Sequence, residues 1–133
     1  MRTDYDTLVD DIATRAEIDN LAKAERAAIE TLLTLGEYVP RSEADALGVF
    51  LPGALGDAVT ERDESADEPS AEEFVELVAE RQGFGVEPAD ALRHVRAVLA
   101  TIVSHGGRDE IQRARDGLPD DFDPLFETAE LTN

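Results

Sequence analysis

The chain has no cysteine and no tryptophan, and among its 133 residues only one methionine and one lysine, Lys23. Without cysteine there is no disulfide framework, no thiolate nucleophile and no cysteine-based metal site, and the cytoplasm is the expected location. No apolar run approaches the roughly 18 residues of a membrane-spanning helix. The opening MRTDYDTLVDD places acids where a signal peptide has a basic start and an apolar stretch. Neither export nor membrane insertion is expected. Period-two alternation is absent from every window, so no strand is expected and the fold class reads as all-α.

Catalytic and cofactor signatures are equally scarce. Ser104, His105 and Asp109 lie close in sequence, but no G-x-S-x-G elbow or strand is there to present a nucleophile. The GFGVEP segment lacks the lysine and the glycine spacing of a phosphate-binding loop. His94 and His105 are eleven residues apart, which on one helix separates them by about 16 Å along the axis, too far to share a metal. They read as surface or helix-end histidines. The acids of DDFD (120–123) lack the alternating ligands, glycine turn and distal Glu of a calcium loop. No cofactor and no dedicated metal site are expected, only weak association of solvent potassium or sodium.

What the chain has in excess is negative charge. Asp and Glu number 31 against 12 Lys and Arg, a formal charge of -19. Such a surface repels phosphate backbones and anionic membranes, so neither nucleic acid nor membrane is an expected partner. Carboxylates hold water and cations at molar salt, whereas the long apolar stem of lysine becomes less soluble there. The pattern therefore reads as halophilic.

The sequence also repeats itself. DTLVDDIATR (6–15) aligns with EEFVELVAER (72–81), pairing Leu8 with Phe74, Ile12 with Val78 and Arg15 with Arg81. After a one-residue insertion Arg26 pairs with Arg93, Leu32 with Leu99, Arg41 with Arg108, and Leu51-Pro52 with Leu118-Pro119. The expected organisation is a first helical repeat over 1–59, an acidic linker over 60–69, a second helical repeat over 70–128 and a tail over 129–133. Each repeat is expected to hold three to four helices, and the two to pack as one helical domain, since one alone buries little. In the first, Thr3 with Asp6, Asp19, and Ser42 with Asp45 are the expected caps, and Leu21, Ala24, Ala28, Leu32 and Leu35 the buried side of the long helix. In the second, Ser70 with Glu73 caps the first helix, Gly83 ends it, Pro88 opens the long one, Gly106-Gly107 break it, and Ile111 begins the short one.

A Leu/Phe-Val-x-x-Ile/Val-Ala-x-Arg helix, a long Ala/Leu helix and an Arg-x-Glu segment ending in Leu-Pro, present twice, resemble the family catalogued as domain of unknown function 2267. The resemblance covers nearly the whole chain apart from the linker and tail. It implies a small helical protein of a kind common in halophilic archaea and in bacteria. It implies no catalytic residue.

The candidate site residues are the repeated arginines, Arg15, Arg81, Arg26, Arg93, Arg41 and Arg108. In a chain with so few cations they either pin helices together through carboxylates and helix-end carbonyls or line patches that take an anionic ligand or an acidic partner segment. The expected function is a non-enzymatic interaction or accessory scaffold with an unknown protein partner; the alternative is a small-ligand sensing or regulatory domain that binds an anion between the repeats. Self-repulsion acts over about 10 Å at 0.1 M salt and about 3 Å at 1 M. The thermal midpoint is thus expected to be higher in about 2 M than in about 0.1 M potassium chloride, and equal midpoints in a salt series would contradict the halophilic reading.

Overall fold

The computed structural model describes residues 4–61, 70–83 and 85–127, and among them every regular element is helical. The Thr3 cap, Phe84, residues 62–69 of the expected linker and the 129–133 tail lie outside the described residues. Helix α1 (Tyr5–Ala16) buries Leu8, Val9, Ile12, Ala13 and Ala16, the three-and-four spacing of one helical face. It closes on Glu17 in the left-handed region (φ 59°), with the Ile18 N–H donating to the Ala13 carbonyl at 2.9 Å.

The long helix α2 (Leu21–Tyr38) starts one residue later than expected. Asn20, not Asp19, is its cap, the Asn20 side chain accepting the Lys23 N–H at 3.1 Å. Leu21 is 57% exposed instead of buried, because no described element covers the first turn of α2, where Ala22 and Lys23 are exposed beside it. Ala24, Ala28, Leu32 and Leu35 are buried as their spacing requires. Helix α3 (Arg41–Phe50) begins directly after Pro40, so the expected Ser42–Asp45 cap does not form. Ser42 donates to Glu43 instead, and Asp45 pairs with Arg41. Pro52 separates α3 from α4 (Gly53–Thr60), whose last residue is the first of the expected linker.

Ser70 caps α5 (Ala71–Gln82), accepting the Glu73 N–H at 3.4 Å, and Gly83 ends it at φ 69°. Pro88 opens α6 (Pro88–Ile102). A kink over Val103–Gly107, with Gly106 at φ 105°, separates it from α7 (Arg108–Asp116), which starts three residues before the expected Ile111. A 3-10 turn, Asp120–Phe122, leads into α8 (Asp123–Phe126).

The two long helices, α2 and α6, touch each other at the centre. Helix α1 packs on both of them, and so does α5; α4 covers α2, α8 covers α6, and α3 meets α7. Each short N-terminal helix thus lies against the long helix from the other end of the sequence as well as its own. Edge-on ring contacts tie α2 to the later elements, Tyr38–Phe74 at 5.2 Å, Phe74–Phe122 at 5.8 Å and Tyr38–Phe122 at 6.0 Å between centroids. Such pairs add about 0.5–1.5 kcal/mol each beyond their burial.

Helix α2 meets α4 most closely at Gly36, where a Cβ would stand 2.1 Å from the Val59 carbonyl oxygen. Backbone cannot yield as a side-chain tip can, so Gly36→Ala must separate the two helices. It is expected to destabilise the fold by about 1–3 kcal/mol in urea unfolding, and an unchanged midpoint would contradict this contact.

Candidate functional site

Four of the six candidate arginines, Arg26, Arg41, Arg81 and Arg93, meet acceptors supplied by other elements. Arg26, on the second turn of α2, donates through Nε to the Gln82 carbonyl at 3.0 Å and through Nη2 to the Arg81 carbonyl at 3.1 Å. Those carbonyls are at the C-terminus of α5, where intrahelical donors run out. Arg93, on α6, donates through Nε to the carbonyl of Ala16, the last residue of α1, at 2.9 Å. Arg81 forks onto Glu37, at 2.6 and 3.3 Å, and donates to Thr34 Oγ1 at 2.9 Å. Both side chains of that pair are largely shielded, 20% and 10% exposed. Among the described residues Arg15 reaches only Asp11, one turn back on its own helix, at 3.2 Å. Arg41 bonds the Thr60 carbonyl at 3.2 Å and Asp45 at 3.1 Å. Arg108 is exposed, without a hydrogen bond or ion pair among the described residues.

Two of the six come together in a cleft of about 610 Å³. Its walls are the exposed first turns of α2 and α6 and the ends of α1 and α5, contributing Ile18, Asn20, Ala22, Lys23, Arg26, Gln82, Gly85, Val86, Asp90, Arg93 and His94. Three cations, including the chain's one lysine, face a single carboxylate, the reverse of the composition of the whole chain. Arg15 and Arg93 also line a shallower groove of about 590 Å³ with Arg96, over Leu92, Ala97 and Ala100, and among the described residues no carboxylate lines it. Arg41, Arg81 and Arg108 belong to neither.

The inner end of the cleft holds two residues that the sequence reading did not place there. His94, expected at the surface, is only 6% exposed, and its Nδ1 lies 3.0 Å from Gln82 Oε1. The correction has a simple cause: His94 falls three residues after Ala91 and four before Val98, within the buried stripe of α6, and that periodicity was a signal available for it. Burial, and next the Arg93 charge, push its pKa below the ordinary histidine value. Gln82 is 4% exposed, and its Nε2 has no partner among the described residues. An unpaired buried donor costs about 1–3 kcal/mol, which marks this amide as a group without its full complement. His105 sits in the kink after α6, as a helix-end histidine should, and its Nε2 lies 2.9 Å from Asp11 Oδ2. Among the described residues no three His, Asp or Glu side chains gather to hold a metal, and no helix is long and apolar enough to cross a membrane.

Fold and site together define an all-helical domain built on two crossed-over long helices with a cationic cleft at their starting turns. The chain belongs to the family described as "Uncharacterized conserved protein (DUF2267)", whose sequence model matches residues 5–125. Neither the comparison with curated proteins nor that with solved structures found a match.

The arginine contacts differ enough to be told apart by substitution. Arg81→Ala strands a shielded Glu37 and is expected to cost about 2–4 kcal/mol, whereas Arg15→Ala removes an exposed pair and should cost about 0.2–1 kcal/mol. Urea unfolding decides, and equal losses would contradict the difference in shielding. His94 is expected to titrate below about 6.5 by its ring-proton NMR shift. Because its folded pKa lies below the unfolded one, its contribution to stability is full above about 6.5 and is lost as pH falls through the folded value; an ordinary or raised value would contradict the burial argument.

Proposed function

We propose that the chain is a non-enzymatic accessory scaffold, made by tandem duplication of a helical unit, that docks an acidic segment of a partner protein. The duplication is supported by where the paired arginines go. With Arg15 aligned on Arg81, Ala16 falls opposite Gln82; the matched Arg26 and Arg93 then donate to matched carbonyls, Gln82 and Ala16, each across to the other repeat. The helix order supports it too, with α1, α2, α3 and α4 followed by α5, α6, α7 and the short pair ending in α8. Their boundary falls in 60–69, and an acidic, halophilic, cytoplasmic protein fits the composition.

One observation carries the docking reading: the groove of Arg15, Arg93 and Arg96 over an apolar floor, with no carboxylate among its described lining residues and only the long or exposed pairs Arg15–Asp11 and Arg93–Asp90 beside it, on a chain of formal charge -19. Cations kept together on so acidic a molecule suit an acidic partner whose apolar side chains meet Leu92, Ala97 and Ala100. The second reading, a small-anion sensor, is favoured by the separate cleft in which Lys23, Arg26 and Arg93 meet.

Affinity capture at native salt, with mass spectrometry, tests the scaffold. A stoichiometric partner is expected with the parent and should be lost with the double variant Arg15→Glu/Arg96→Glu, which melts lower because Arg96 gives up its bond to the Pro124 carbonyl but keeps the helical circular dichroism of the parent. Equal capture by both, or no partner with either, would contradict it.

A further inference from the structure

The cleft at the starts of α2 and α6 is graded from inside to outside. Gln82 and His94 are almost completely buried, while the Arg26 and Arg93 side chains are 49% and 44% exposed and Lys23 is exposed as well. Ile18, Ala22 and Val86 supply apolar wall. A ligand that fills this space therefore meets hydrogen-bonding groups with its inner end, apolar surface along its body and positive charge at its outer end.

The inner pair has a definite pattern. Gln82 Oε1 accepts from the His94 Nδ1–H, which leaves the Gln82 amide N–H groups as donors and His94 Nε2, which has no hydrogen bond among the described residues, as an acceptor. Turning the amide over exchanges both roles together, since Nδ1 then accepts, the amide oxygen is left over and Nε2 carries the proton. Either way at least one donor and one acceptor remain, coupled through the Gln82–His94 bond. An edge with an adjacent acceptor and donor, as on a nitrogen heterocycle, answers that pair. The outer cations answer a phosphate or carboxylate by their charge: Arg26 and Arg93 keep their bonds to the helix ends, and the anion competes with Glu30, 3.9 Å from Arg26, and Asp90, 3.5 Å from Arg93, both long contacts at part-exposed side chains.

We propose that this cleft binds a heterocyclic organic anion, its hydrogen-bonding ring edge on Gln82 and His94 and its anionic group among Lys23, Arg26 and Arg93. The proposal rests on the small-anion reading above and adds to it the ring. Lys23 and Arg93 set affinity for the charge; Gln82 sets preference for the ring.

Titration of the isotope-labelled full chain at high salt, followed by NMR, tests it with four probes: adenosine 5′-monophosphate, orotate, ribose 5-phosphate and inorganic phosphate. At least one ring-bearing probe is expected to bind at least about tenfold more tightly than ribose 5-phosphate and to shift the Gln82 side-chain amide pair and the His94 ring nitrogens. The first two probes distinguish a phosphate from a carboxylate. Gln82→Leu should bring the ring-bearing probe down to the level of ribose 5-phosphate and leave ribose 5-phosphate binding as it was. If ribose 5-phosphate binds as tightly as the ring-bearing probes and the Gln82 amide does not move, the ring is wrong and the anion site stands. If no probe shifts Lys23, Gln82, Arg93 or His94, both are wrong. The shifts are read on the parent protein, so the test holds even where Gln82→Leu fails to fold.

Discussion

The C-terminal ends of α1 and α5 depend on arginines from the opposite long helices. A helix end exposes carbonyls that its own backbone cannot pair, and each guanidinium supplies donors that carry a full charge to the negative end of a helix dipole. Arg93 holds the end of α1 and Arg26 the end of α5. Each of these two contacts joins a short helix to the long helix farther from it in sequence, across the shared apolar core. Because each short helix is held on the far long helix, α2 and α6 must lie side by side, and their starting turns must stand next to the two capped ends. The cleft is the space this leaves, and the same two arginines line it.

Placing scarce cations at helix ends also makes sense of the composition. A chain of formal charge -19 cannot rely on average attraction between its parts. Arginine serves where lysine would not, because Arg26 addresses two carbonyls at once and Arg81 both oxygens of Glu37. The aromatic contacts among Tyr38, Phe74 and Phe122 need no charge and join the same elements.

The helical class and most helix positions were legible in the sequence, because buried stripes such as Leu8, Ile12 and Ala16 or Ala24, Ala28 and Leu32 repeat at helical spacing. Ends were less legible where neighbours compete. Asp19 and Asn20 are both good caps, and only the backbone decides between them. The candidate arginines were found from their repetition, but their partners were not, since a backbone carbonyl is present at every residue and leaves no mark in a sequence. Gln82 was missed for a related reason: its importance lies in what its amide fails to meet. His94 was legible and misread, its place in the stripe of Ala91, Val95 and Val98 counting for more than its polarity.

The crossing itself is open to a direct measurement. Arg26→Lys and Arg93→Lys keep the charge but cannot reproduce the bonds made through Nε, and their unfolding free energies can be compared singly and together. Each is predicted to lose about 1–2 kcal/mol, less than a fully buried charged hydrogen bond because both side chains are partly exposed. The double variant should lose at least the sum. Single variants as stable as the parent would contradict the claim that these two arginines hold the helix ends.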